Sequence, residues 1–361
     1  MGLGGVEVRA EVGGRTVGRL ADGRELVYYD DTAGFDRTAV DGRVLERAAA
    51  GAEVRRDPLT GEVVLVAAHR QTRTVSAGAA DCPLCPSEAG RPSEIPAADY
   101  HVAVFENRFP ALGGTAGGRC EVVSFSSDHG RSVAELPDER LATIGRAWAE
   151  RTRALSALPG VEQVFVFENR GARVGATLAH PHGQIYAYPY LPPVHRAVLE
   201  SARAFRDGHG GCLLCEIVAR EAAGPRVVAE TDGFVAYVPE AARWPYEVHL
   251  APRTCAPDLA ALDETARADL MRLYGEVLRR FAHLFGSGET PYMACWHQAP
   301  VRHRADLSHF YAQVFTTRRD VDKWKFLASS ESGAGAFLND VLPETAARRL
   351  RDASTDRSPR S

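Results

Sequence analysis

His180-Pro181-His182-Gly183-Gln184 sets imidazoles at positions i and i+2 and an amide at i+4, and it returns, altered, as His309-Phe310-Tyr311-Ala312-Gln313. Alternate side chains of a strand share a face, so His180, His182 and Gln184 point the same way. A lone strand histidine is more often a core or surface residue than a catalyst. Two histidines around a proline, followed by glycine, favour function, because Pro and Gly weaken a strand and require a reason. Upstream, residues 168–177 (ENRGARVGAT) read as a polar, glycine-containing loop suited to bringing backbone N–H groups against phosphate. A nucleophilic histidine beside an anion-binding loop points to phosphoryl or nucleotidyl transfer through a histidine-bound intermediate.

Outward from the motif, other landmarks recur in order. Cys82-Pro-Leu-Cys85 is matched by Cys212-Leu-Leu-Cys215, His129 by Cys255, and His180 by His309. The steps are 130 (82 to 212), 126 (129 to 255) and 129 (180 to 309). Between the landmarks each half carries two strands, a long amphipathic helix (134–158 and 259–285) and a further strand. The chain therefore reads as α+β, two tandem modules that are each an antiparallel sheet with a long packed helix. The expected boundaries are an irregular extension over 1–50, a catalytic module over 51–200, a second module over 201–350 and a disordered tail over 351–361.

Superposing the halves predicts two metal sites. Cys82, Cys85, His129 and His180 form a Cys2His2 set, and Cys212, Cys215, Cys255 and His309 a Cys3His set; both suit tetrahedral Zn²⁺. Buried cysteines often serve only as small hydrophobes, but two Cys-x-x-Cys pairs with matched third and fourth ligands outweigh that reading. Four protein ligands leave no open position, so both sites are expected to be structural. Cys120 and Cys295 fit neither set and are expected in the core. Tyr311 stands where His182 stands in the first copy, so one active site per chain is expected.

Composition narrows the alternatives. The 361 residues are 45% hydrophobic, enough for a sizeable core, and the net charge of −4 lacks the basic excess of a nucleic-acid binder. No apolar run approaches the ~20 residues of a membrane helix. The opening MGLGGVEVRA lacks the basic-then-apolar layout of a signal peptide, so a cytoplasmic protein is expected. Seven cysteines, four of them in Cys-x-x-Cys pairs, favour metal binding over disulfides in a reducing compartment.

The chain resembles the galactose-1-phosphate uridylyltransferases, a family of the histidine triad superfamily, from about residue 55 to about residue 349. Besides the motifs above, the resemblance rests on Arg56-Asp-Pro-Leu-Thr-Gly61, His69-Arg-Gln-Thr-Arg73, Phe105-Glu-Asn-Arg-Phe-Pro110, Lys325-Phe-Leu-Ala-Ser-Ser-Glu331 and Gly335-Ala-Phe-Leu-Asn-Asp340. It implies two histidine-triad-like modules and a ping-pong reaction. His182 would take UMP from UDP-glucose, release glucose 1-phosphate, and pass the UMP to galactose 1-phosphate to give UDP-galactose. Gln184 would hydrogen-bond the phosphoryl oxygens; hydrolase branches usually carry a third histidine there, and an amide offers no titratable proton to a leaving group. By position, Arg70 and Arg73 would face phosphate, Asn107 the ribose, and Asn169, Gly175 and Thr177 the phosphate loop. Lys325 and Glu331 would complete the sugar-phosphate site of the partner subunit in a homodimer.

The family pattern is not matched everywhere. Some members hold iron on one Glu and three His; here His297 is a relic, Tyr311 and Gln313 stand at two of the His positions, and Glu200 is out of register. The iron-type site is therefore expected to be absent, replaced by the Cys3His site. Ser330 stands where some relatives place a Tyr against galactose, which loosens the sugar assignment. The nearest alternative is an ADP-glucose phosphorylase, although such relatives tend to carry Ser at the position of Gly183. A dinucleotide hydrolase and a non-catalytic, zinc-stabilised nucleotide-binding protein rank lower.

Overall fold

The computed structural model describes residues 9–11, 14–46, 51–72, 78–286, 290–303 and 305–356. Strands β1 (Arg9–Glu11), β2 (Arg15–Arg19) and β3 (Glu25–Tyr29) come first, then a separate hairpin of β4 (Glu53–Arg56) and β5 (Val63–Val66). The first half continues with β6 (Val102–Glu106), β7 (Arg119–Ser124), helix α1 (Asp138–Ser156), β8 (Gln163–Arg170) and β9 (His182–Tyr188). Helices α2 (Pro193–His209) and α3 (Leu213–Ala222) lead to β10 (Val227–Glu230), β11 (Phe234–Tyr237), β12 (Val248–Pro252), α4 (Glu264–His283), β13 (Tyr292–His297) and β14 (Tyr311–Phe315). Short helices α5 (Ser329–Ala334) and α6 (Pro343–Asp352) follow.

Twelve of these strands form one antiparallel sheet in the order β1-β2-β3-β6-β7-β9-β8-β13-β14-β12-β11-β10. From β3 onward the order is palindromic: β3-β6-β7-β9-β8 is mirrored by β10-β11-β12-β14-β13. The halves join where β8 pairs with β13, from Arg170 opposite Tyr292 to Val166 opposite Trp296. The two predicted sheets are thus one sheet with a pseudo-twofold axis at this seam.

Local chemistry sets the long helices. The acidic pair Asp138–Glu139 opens α1, and the Asp263 carboxylate caps α4 by accepting from the Ala266 N–H at 2.8 Å. Both helices pack on one face of the sheet, and they meet each other reciprocally. A Cβ on Gly145 would lie 2.7 Å from Met271, and one on Gly275 would lie 2.6 Å from Leu141. Residues 141 and 145 of α1 correspond to 271 and 275 of α4, so each glycine admits the partner helix's bulky residue. Beneath them Trp148, Tyr274 and Trp296 are fully buried, with ring centroids 4.8 Å (148 to 296) and 5.1 Å (274 to 296) apart. These rings remove large apolar areas from water and pack edge-on or tilted against one another.

Two boundary expectations need correction. The irregular extension expected over 1–50 instead supplies β1–β3 to the sheet. Val27 and Tyr29 join the helix-side core, whereas Leu26 and Tyr28 face a smaller core on the other side. Both faces of β3 are covered, so the strand lacks the polar alternation by which a half-exposed strand is recognised. The tail expected from residue 351 does not begin there: α6 runs through Asp352, anchored by buried Ala346, Ala347 and Leu350 and by Arg351, whose Nη1 donates to the Pro225 carbonyl at 2.9 Å. Residues 357–361 lie outside the described set.

Candidate active site

The motif lies on the face of the sheet opposite α1 and α4, a face that α3 covers only at its far end. Ile185 and Ala187 of β9 join the helix-side core, which turns His182, Gln184 and Tyr186 to the opposite side. Gly183 between them faces inward: a Cβ there would stand 2.8 Å from the Phe125 ring and 2.9 Å from the Phe167 carbonyl oxygen. A side chain at 183 would push β9 away from its neighbours. His182 opens the strand opposite Ser124, and Gln184 is paired with Val122 on β7 and Phe167 on β8.

The His182 ring is fixed by one hydrogen bond: Nδ1–H donates to the backbone carbonyl of His180 at 2.7 Å. That bond leaves the lone pair on Nε2, and burial holds the imidazole below its ordinary pKa, so the neutral form is favoured. A neutral imidazole with a free Nε2 is a nucleophile.

His182 and Gln184 open into a cleft of about 470 Å³. Leu84, Phe105 and Val122 give it apolar walls, and Arg70, Asn107 and Thr177 add polar groups. Asn107 accepts from the Phe109 N–H at 2.8 Å and donates to Gln184 Oε1 at 3.5 Å, linking the predicted ribose contact to the predicted phosphoryl contact. Arg70 donates to the Phe109 carbonyl at 3.0 Å. The predicted phosphate loop is a 3-10 turn, Ala172–Val174, between Gly171 (φ 93°) and Gly175 (φ 85°), a backbone that favours glycine at both ends.

Other predicted site residues stand elsewhere. Asn169 lies on β8 opposite Met293, and neither it nor Gly175 lines the cleft. Arg73 lies outside the described residues. Lys325 and Glu331 are buried and face each other, Nζ to Oε1 at 2.8 Å, and neither lines the cleft. Arg43, Glu94 and Arg108, not expected from the sequence, do line it. Arg108 belongs to the Phe105–Pro110 motif; Arg43 and Glu94 have no local signature, because the fold alone brings them there.

Both predicted metal quartets converge. The donor atoms of Cys82, Cys85, His129 and His180 lie within 4.8 Å of one another, as do those of Cys212, Cys215, Cys255 and His309. Tetrahedral Zn²⁺ needs donor separations of about 3.3–3.8 Å, from Zn–S and Zn–N lengths of ~2.3 and ~2.0 Å. His180 Nδ1 sits 3.6 Å from Cys85 Sγ, and His309 Nδ1 sits 3.3 Å from Cys215 Sγ and 3.7 Å from Cys212 Sγ. In both quartets the far ring nitrogen meets a backbone carbonyl: Ser126 at 2.7 Å for His180, and Pro252 at 3.2 Å for His309. That contact fixes the tautomer and leaves Nδ1 free to ligate. Tyr100 adds a hydroxyl 2.9 Å from His180 Nε2, a contact that no sequence motif announces. The first quartet is mostly buried, whereas Cys255 of the second is exposed.

At the positions of the iron-type ligands the side chains engage one another. His297 Nε2 donates to Gln313 Oε1 at 3.2 Å, Tyr311 stacks on the His297 ring at 4.5 Å, and Gln313 donates to Glu247 at 2.7 Å. Glu200 is exposed on α2. Tyr and Gln in place of two imidazoles make this a poor donor set for iron.

Both halves of the chain are similar to known proteins. The family description "Galactose-1-phosphate uridyl transferase, N-terminal domain" matches residues 113–192, and its C-terminal counterpart matches residues 199–358. The chain is 47% identical to a galactose-1-phosphate uridylyltransferase of Streptomyces lividans, over 94% of this chain and 98% of that protein. It is 36% identical to one of Thermotoga maritima, over 84% of this chain and 99% of that protein. A solved uridylyltransferase structure superposes with a TM-score of 0.75 at 30% identity, covering 83% of this chain and 97% of that one.

Proposed function

Because this chain belongs to the galactose-1-phosphate uridylyltransferase family, we propose that His182 is the nucleophile in a two-step transfer of UMP from UDP-glucose to galactose 1-phosphate. The enzyme is a nucleotidyltransferase; the two steps and the residue roles are our reading. Nε2 of neutral His182 attacks the α-phosphorus, the P–N bond forms, and the bond to glucose 1-phosphate breaks. The Nδ1 proton stays on the ring, shared with the His180 carbonyl. Galactose 1-phosphate then attacks the same phosphorus, the P–N bond breaks, and the ring returns to neutral. A phosphate leaving group needs no proton, so Gln184 suffices where a hydrolase would use an acid. Arg70, Arg73, Asn107 and Thr177 would bind the nucleotide, with Asn169 and Gly175 shaping the phosphate loop.

The observation that carries this reading is the 2.7 Å hydrogen bond from His182 Nδ1 to the His180 carbonyl, which aims Nε2 at the cleft. Zn²⁺ suits both thiolate-bearing quartets, where it would hold strand ends in place rather than touch substrate. The Lys325–Glu331 pair, absent from its own cleft, fits a role in a partner subunit's sugar-phosphate site within a homodimer. Among the described residues no helix is long and apolar enough to cross a membrane. Thiolate metal ligands suit a reducing compartment, and we assign the reaction to the cytoplasm on that ground. The test is the intact mass of the protein after incubation with UDP-glucose alone. A gain of one UMP, removed by galactose 1-phosphate, supports the two-step transfer. An adduct with ADP-glucose and none with UDP-glucose would move the protein to the phosphorylase reading.

A further inference from the structure

The loop between β8 and His180 carries an arginine that the cleft does not use. Arg173 is exposed and does not line the cleft, although Thr177 and Leu178, at the far end of the same loop, do. Its guanidinium instead lies over the indole of Trp324, with Cζ 4.5 Å from the ring centroid, a cation–π contact between the first half of the chain and its C-terminal part. Trp324 belongs to a hairpin of β15 (Arg318–Asp320) and β16 (Lys323–Trp324) that follows β14 in the chain.

The hairpin is firmly held. Arg318 pairs with Trp324 across it, and Arg318 Nε and Nη2 both donate to the Val321 carbonyl, at 3.1 and 2.7 Å. The same guanidinium stands 4.7 Å from the Phe285 ring centroid, and the Lys325 N–H donates to the Thr317 carbonyl at 2.6 Å. The loop is fastened at its ends: Arg170 Nη1 donates to the Ala179 carbonyl at 2.6 Å, and a Cβ on Gly171 would stand 2.6 Å from the Pro291 Cβ. Between those ends it makes one 3-10 turn, with Val174 buried beneath it. A turn flanked by two glycines is costly to order, because glycine loses more conformational freedom than any other residue. Trp324 holds that turn from outside.

We infer that Trp324 and Arg173 form a clamp by which the C-terminal hairpin presets the phosphate loop for the sugar nucleotide, which makes both of them positioning residues of the cleft. The inference rests on the reading of His182 given above. A loop already in place spares the bound nucleotide the cost of ordering it, so the clamp contributes to affinity. It does not contribute to bond making, because the His182 ring is oriented by the His180 carbonyl and not by the loop. The hairpin that carries Lys325 thus acts on the cleft of its own chain through the residue next to it.

The test follows UMP adduct formation on the full-length protein as UDP-glucose is varied, reading the half-saturating concentration and the maximal rate separately. Trp324→Leu is expected to raise the half-saturating concentration about 2- to 5-fold, the factor a partly exposed cation–π pair supports, with the maximal rate nearly unchanged. Trp324→Phe keeps an aromatic face and should restore part of the loss. Arg173→Ala, at an exposed side chain, should match Trp324→Leu with the fold intact, and the double variant should lose no more than either single one. If Trp324→Leu does not fold, Trp324→Phe takes its place, and Arg173→Ala should cost less in that background than in the parent protein. A loss in Arg173→Ala well beyond that in Trp324→Leu would overturn the clamp, since Arg173 would then meet phosphate directly. A lowered melting temperature with half-saturation unchanged would also overturn it and leave the pair a structural brace. Absence of any UMP adduct in the unmodified protein would instead overturn the His182 reading beneath the inference.

Discussion

His180 serves His182 through its backbone and the metal quartet through its side chain. Its carbonyl oxygen accepts from His182 Nδ1 at 2.7 Å, while its own Nδ1 turns to Cys85 Sγ at 3.6 Å. One residue thus ties the proposed nucleophile to the cysteine–histidine cluster, so a metal held there would be coupled to His182 through backbone geometry rather than through shared ligands.

The nucleophile itself is the sharpest test. His182→Ala should abolish the UMP adduct and lower transfer by at least about 10³-fold, with metal content and melting temperature unchanged, because His182 belongs to neither quartet. Intact mass with UDP-glucose and elemental analysis of the same sample check this. An active variant would sink the assignment.

Gly183→Ser should damage both stability and rate. Its Cβ would stand 2.8 Å from the Phe125 ring and 2.9 Å from the Phe167 carbonyl, and overpacking of this kind costs typically ~1–3 kcal/mol. Thermal unfolding should fall by roughly 2–6 °C, and adduct formation should slow as β9 shifts. An unchanged melting curve would mean that the strand yields without cost.

The two quartets should differ in lability. The first is mostly buried; the second exposes Cys255. A chelator with a chromogenic metal readout should remove one equivalent quickly and the other slowly. Cys255→Ser should eliminate the fast phase while UMP adduct formation persists. A single phase covering both equivalents would contradict the asymmetry.

Glu168 supplies a pH test away from the cleft. Burial raises its carboxyl to about 7, against hydrogen bonds from Tyr292 at 2.6 Å and Tyr274 at 2.7 Å that pull it down. Its folded pKa exceeds its unfolded value near 4.5, so the folded state binds more protons in between. The stability it contributes is present at low pH and declines as pH rises from about 4.5 through 7. Glu168→Gln should remove that decline, so the variant gains on the parent protein between pH 5 and 8 by a few degrees. A pH-independent difference in melting temperature would refute the sign.

Much of the plan was legible because it is written twice. The spacing of Cys82, Cys85, His129 and His180 gains force from Cys212, Cys215, Cys255 and His309, and a repeat turns eight ordinary residues into two closed sets. Strand β3 was illegible for the opposite reason: Leu26 and Tyr28 enter one core and Val27 and Tyr29 another, which erases the alternation that marks a strand. Arg43 and Glu94 meet across 51 positions, and no local pattern anticipates a contact made by the path of the chain. Lys325 and Glu331 were legible as a motif, but a motif does not say which cleft a side chain enters.

Gly145 opposite Met271 and Gly275 opposite Leu141 form a self-complementary handshake, the geometry by which identical subunits meet. Inside one chain it joins two like modules much as a symmetric dimer interface joins two subunits. Such a seam drifts only in concert, since enlarging either glycine forces the opposite helix to yield. Positions 182 and 311 lie on the other side of the sheet, outside that reciprocal contact, so a tyrosine at 311 and an imidazole at 182 place no demand on each other through it.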